Sequence, residues 1–428
     1  CIRDRNGYTL TADNSATGKI IVLGKMTLKD SSTEKKGKIV ASQDYTAASY
    51  NGSLIEIAGE DASMTMESGN ISAVRKTPNS NGQYGVGVTD GGDFTMTGGK
   101  IEAGWFAVAG NGNYKTQNSI INITDGELIS TADYAVYLPQ SGTTTISGGK
   151  VYGAAGGVCI QRGTLNVEGT ALITSKGTGS TGNWGDGTGG LDCAAINVSG
   201  AYGIATVNIK GGTLIAEAKS LITEGTTYTP VINVTGGTFS DPSVLKYMAT
   251  NATVDIKLLS NINIAKTELA TGYILNAANA TANLNLNGHD IINSSETADA
   301  TPFTQIFTVQ NGTLNISGNG NVKCDASATA KDDGYRMVIE ARGHGTVNIH
   351  GGSYYNTQKL NTQIDLIYAR ENGKINIYGG TFESGKYGTP NNDTDGRYWV
   401  LNLKNTDKNT ASIQVSGFQP GKSEYGRQ

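Results

Sequence analysis

Hydrolysis of a glycosidic bond by two carboxylates needs the pair about 5–10 Å apart, so the acids come first. Asp332-Asp333 is the one pair of adjacent aspartates, in a polar turn beside Tyr335 and Arg336. It reads as a solvated loop or as an acid/base pair, and the other acids are spread along the chain. His289, His344 and His350 lack a third ligand at metal-binding spacing. Asp393-Thr-Asp395-Gly396 is a fragment of a calcium loop without the distal Glu that would complete it. No Ser or Cys nucleophile motif is present. The pattern predicts no enzyme, no metal and no cofactor.

Binding chemistry is easier to place. The stretch 176–192 is rich in Gly and carries Asn183, Trp184 and Asp186. A Trp in such a loop is hard to bury in a regular core. Exposed, it would stack on a sugar ring while Asp186 and Asn183 bond its hydroxyls. The alternative is that the ring folds back onto the wall of the fold. A second departure, 385–399, ends in Tyr398 and Trp399, which join the candidate glycan-binding set. Tyr354-Tyr355 reads instead as an aromatic stack at a corner.

These segments interrupt a repeat that must position them. It runs apolar, polar, apolar, any residue, Gly-Gly, any residue, apolar. Copies include Phe94 to Ile101, Thr144 to Val151, Val207 to Leu214, Ile232 to Phe239, Val347 to Tyr354 and Ile375 to Phe382. Alternation sets the two apolar side chains on one face of a strand and the residue between them on the other. Gly-Gly then turns the backbone through conformations closed to residues with a Cβ. Most copies recur every 21 to 33 residues or so, the period of a solenoid. A second short strand, such as 134–138, 194–198 or 364–368, precedes many copies, and turns at Asn311-Gly312 and Asn372-Gly373 lead into others. No amphipathic helix intervenes. The predicted fold is all-β, a right-handed parallel β-helix in two blocks, 1–248 and 249–428. Asp241-Pro242 opens one or two helical turns that seal the first block.

The middle residue of the phrase is Asn at 122, 166, 208, 233, 315, 348 and 376. Stacked in register, these amides form a ladder that bonds coil to coil, or a flat polar face for a polysaccharide or another protein.

Composition agrees. Of 428 residues, 59 are Gly and 7 are Pro, and charged residues make up 16%. Low charge argues against disorder. Lys and Arg number 33 against 37 Asp and Glu, with no basic run, which sets nucleic-acid binding aside. No apolar stretch approaches the roughly 18 residues of a membrane span. Cys159 and Cys193 read as buried thiols. Cys1 is either a lipidated lipoprotein start or a fragment end.

The segments 134–142, 160–167, 365–380 and 400–404 resemble a Gly-Gly-Thr repeat family of gut bacteria and their phages. Members occur as phage head or tail fibres and as modules of bacterial surface proteins. The resemblance implies an extracellular, non-catalytic rod of a phage fibre or virion appendage, of a kind that is often a homotrimer. It implies partners among host-cell glycans or other virion or surface proteins, and it carries no catalytic residues. The alternative is a bacterial cell-surface adhesin or glycan-binding module. Because parallel β-helices also host polysaccharide lyases and hydrolases, that class is weighed as well.

Overall fold

A computed structural model describes residues 2–12, 19–42, 52–76, 83–110, 118–181, 188–224, 227–264, 272–293, 305–324, 336–356, 364–384, 398–405, 408 and 410–416. They are nearly all β, in two compact units, Cys1–Ser240 and Asp241–Gln428. The helical turn expected at 241 is present as a 3₁₀ turn, Pro242–Tyr247. The carboxylate of Asp241 accepts from the Ser243 amide at its start, at 2.9 Å. The turn packs on the strand Tyr273–Asn285 of the second unit. No helix among the described residues is long and apolar enough to cross a membrane.

In the first unit the strands form three parallel ladders. One joins the repeat phrases, for example Gly142–Ile146 to Gly163–Val167 to Ala205–Ile209 to Val231–Val234. The second holds the strands just after the glycines, Lys150–Gly153 to Leu172–Ser175 to Thr213–Ala216. The third holds the short strands expected upstream of the phrases, Tyr134–Leu138 to Gly156–Ile160 to Ala194–Ser199. Parallel partners separated by a whole repeat are what a two-residue hairpin cannot produce. The second unit repeats the scheme, with the phrases of Arg336–Ile349, Lys374–Ile377 and Ser412–Val415 in one ladder.

Register stacks like on like. Ile123, Ile146, Val167, Ile209 and Val234 are successive partners, and each is fully buried. Burial of one such side chain contributes about 1.5–3 kcal/mol, so each coil is held mainly by contact with its neighbours. The first unit adds an aromatic cluster. Phe106 stacks on Tyr137 with ring centroids 4.7 Å apart, and Tyr84 lies 5.0 Å from Phe106. In the second unit Tyr354 is fully buried and stacks on Phe382 at 5.0 Å, while Tyr355 is only half-buried.

The Asn positions form hydrogen-bonded rows. Asn208 Nδ2 donates to Asn166 Oδ1 at 3.0 Å, and Asn233 Nδ2 to Asn208 Oδ1 at 3.0 Å. In the second unit Asn376 donates to Asn348, Asn348 to Asn315 and Asn315 to Asn283, each at 2.8 Å. An amide both donates and accepts, so a column of identical Asn is satisfied at every step.

One expectation changes. The predicted turn at Asn311-Gly312 lies inside a continuous strand, Phe307–Ser317, whose pairing slips register between Val309 and Asn311. At the slip Asn311 donates to Asn276 at 2.6 Å, a bond separate from the middle-position amide row, and Gly312 bends the strand with φ +87°. Phe94 to Ile101 behaves likewise, inside the strand Asp93–Ala103. At Asn372-Gly373 the turn is present, with Gly373 N–H donating to Arg370 C=O at 3.0 Å.

Candidate functional site

Residues 182–187, with Asn183, Trp184 and Asp186, lie outside the described residues, as do Cys1, Asp332-Asp333 and 385–397. The base of the 182–187 segment is described, and it is held closely. Thr181 N–H donates to Leu191 C=O at 2.7 Å, and Thr188 Oγ1 donates to the buried Asp133 carboxylate at 2.9 Å. Strand Tyr398–Lys404 carries Trp399, which is half-buried and pairs in register with Asp365. Of Tyr398 only the backbone is described.

The described carboxylates that are buried are committed to the fold. Asp30 accepts from the amides of Gly7 at 2.8 Å, Ser32 at 3.1 Å and Gly37 at 2.5 Å. Burial works against ionisation, but these bonds outweigh it and hold the carboxyl down at about 2. Glu340 is 1% exposed and accepts from Arg370 Nε at 2.6 Å and Gln305 Nε2 at 3.2 Å. Among the described residues no three His, Cys, Asp or Glu side chains gather as a metal site requires. Cys159, Cys193 and Cys324 are buried thiols.

Asp365 differs. Asn402 Nδ2 donates to its Oδ1 at 3.0 Å, while its buried Oδ2 has no partner among the described residues. Burial pushes its carboxyl up from 3.8 to about 6, and the Asn402 bond opposes this only in part. The folded chain therefore holds this proton more tightly than the unfolded chain does. The stabilisation is complete below about pH 4 and is lost as pH rises through about 6. Asp365→Asn, which keeps the neutral form at every pH, is expected to be more stable than the parent by about 1–2 kcal/mol at pH 7.5 and equal to it at pH 4. Thermal melts at the two pH values measure this; equal melting at pH 7.5 means that the ionised carboxylate is already compensated.

A surface feature that the motif reading missed lies on the outer face of the first ladder. An open groove of about 760 Å³ is lined from five successive repeats of the first unit. The row Ile120, Thr143, Thr164 forms its floor, in register from strand to strand. Tyr202 and Tyr228 rise beside it, 39% and 47% exposed, with Ile204 at 59%. Arg162 lines it too, with Ser141 and Asn118 as further polar groups, and none of the described lining residues is a carboxylate.

Local geometry places these groups. Tyr228 sits against Gly200, whose C=O accepts from the Tyr228 amide at 3.0 Å, and a Cβ at Gly200 would lie 2.0 Å from the Tyr228 carbonyl oxygen. A Cβ at Gly203 would lie 2.8 Å from Arg162 Cγ and Cδ, so Gly203 makes room for the Arg162 stem. The signal in the sequence is modest: a Tyr stands four or five residues ahead of the phrase in two consecutive copies, at 202 and 228.

Stacking and hydrogen bonding are what the groove can do. Comparison of the chain with family models, curated proteins and solved structures finds no match in any of the three.

Proposed function

We propose that the chain is a non-catalytic, extracellular β-solenoid, a right-handed parallel β-helix serving as a structural and adhesive module of a phage fibre or virion appendage. The observation that supports it best is the pair of amide rows, Asn166–Asn208–Asn233 and Asn283–Asn315–Asn348–Asn376. Residues that could have carried varied surface chemistry instead bond one coil to the next. Such repetition suits a module selected for rigidity. The commitment of Asp30 to backbone amides and of Glu340 to Arg370 points the same way.

The test is immunogold electron microscopy with antibodies against the chain, on phage particles and on cells of the host. Gold on particle appendages is the expected result. Gold confined to the cell surface would replace the virion reading by the bacterial adhesin. Release of reducing ends from any polysaccharide by the purified chain would overturn the non-catalytic part.

A further inference from the structure

We infer that the groove of the first unit is a binding site for an extended, neutral oligosaccharide, held by stacking on Tyr202 and Tyr228 and by the hydroxyls of Thr143 and Thr164. The inference deepens the adhesive part of the proposed function and rests on it.

Three observations carry it. First, Tyr202 and Tyr228 precede phrases that pair directly, so two half-exposed rings and Ile204 line one wall. Such rings present flat apolar faces with polar rims, the surface that suits the C–H face and hydroxyl edge of a sugar. Both are held in place. The Tyr202 hydroxyl bonds with that of the buried Tyr137, and the Tyr228 amide donates to Gly200 C=O at 3.0 Å. Second, the floor carries hydroxyls that the fold does not use. Elsewhere Thr124, Thr174 and Thr235 donate to carbonyls of the preceding repeat, at 3.2, 3.4 and 3.3 Å. The Thr143 and Thr164 hydroxyls have no such partner among the described residues. Partners in register, these two repeat at the strand spacing of about 4.8 Å, and a repetitive ligand gains from a repetitive floor. Third, every lining side chain except Arg162 is uncharged, and Arg162 already has a partner and takes no part. A neutral ligand suits such a lining. The lining comes from five repeats stacked strand on strand, which suits a straight chain of several sugars over a coiled one.

A peptide is a weaker fit for a structural reason. Extended peptides bind sheets by adding a strand to an unpaired edge. The strands under the groove, Gly142–Ile146 and Gly163–Val167, are paired on both sides. The groove offers side chains and no free ladder, so a strand has little to pair with. A second copy docked by apolar contact would bury the floor hydroxyls unpaired, a cost that the hydroxyls of a sugar avoid.

The test uses the full chain and isothermal titration with two probes, cellohexaose as the straight neutral chain and maltohexaose as its coiled isomer. The parent is expected to bind cellohexaose weakly but saturably, several-fold more tightly than maltohexaose. Tyr228→Ala is expected to weaken cellohexaose binding by about 5–10-fold. Thr164→Val, which keeps the shape of the side chain and removes its hydroxyl, is expected to weaken it by about 3–10-fold. Melting curves accompany each variant. If Tyr228→Ala melts lower, Thr164→Val decides alone. Absence of saturable cellohexaose binding, or maltohexaose binding at least as tight, overturns the inference. Equal affinity of the parent and a variant that melts like it does the same. A self-association of the parent that Tyr228→Ala abolishes also overturns it, because a second copy would then cover the face. Any of these results leaves the immunogold outcome untouched, so the groove and the rod fail separately.

Discussion

Ile209→Ala is expected to destabilise the first unit by about 2–5 kcal/mol. Ile209 is fully buried and stacks in register between Val167 and Val234, so truncation leaves a cavity between two neighbouring coils. The backbone on either side is tied into a parallel ladder and cannot collapse far into the void. Urea denaturation followed by circular dichroism reads the loss directly. Val231→Ala is the control. Val231 belongs to the same ladder but faces outward, 47% exposed, and its truncation is expected to change stability by under about 0.5 kcal/mol. Equal losses in the two variants would show that the inward and outward faces have been exchanged.

Gly149→Ala is expected to cost about 2–4 kcal/mol from two sources. The second Gly of this phrase has φ +73°, a left-handed conformation that costs a residue with a Cβ about 1–2 kcal/mol. A Cβ there would also lie 2.7 Å from the carbonyl oxygen of Gly126 in the preceding coil, and relieving the overlap costs about 1–3 kcal/mol more. Gly24 has no positive φ and open space around its Cβ direction. Gly24→Ala is therefore expected to be neutral or to stabilise by up to about 1 kcal/mol, through the unfolded state. Denaturation midpoints of the two variants against the parent check both. A loss at Gly24 equal to that at Gly149 would remove backbone geometry as the reason for the Gly-Gly pair.

The same phrase shows why the fold was legible. Its first Gly answers to a different constraint in some copies: a Cβ at Gly148 would meet the Thr124 carbonyl oxygen at 2.1 Å. Two glycines in tandem thus record a close approach and a left-handed turn, and both are local demands that a sequence must meet wherever they occur. The alternation on either side of them records which face is inward. By contrast, the Asn311-Gly312 turn was misread because the propensity of that pair for turns yields to pairing with strands a full repeat away.

The Trp184 segment and the groove residues divide along the same line. Trp184 stood out because Trp is rare and its surroundings are Gly-rich, which is a property of one segment. Tyr202, Tyr228 and Arg162 stood out to no motif. They lie 66 residues apart at most in the chain and meet only because successive coils stack. Asp365 was equally unreadable. Its raised affinity for a proton comes from burial beside a strand more than 30 residues downstream.

What the sequence determined by itself was the repeat, the all-β class, the inward and outward faces, and the amide column at the middle position of the phrase. Each is set by side-chain period and backbone freedom within about eight residues, so each is encoded locally. The tertiary structure alone decided the register slip at Asn311, the half-satisfied buried carboxyl of Asp365, and the gathering of two tyrosines and an arginine along one groove. Those depend on which residue of one coil faces which residue of the next. That match is set by the length of every intervening turn, and no single copy of the repeat contains it.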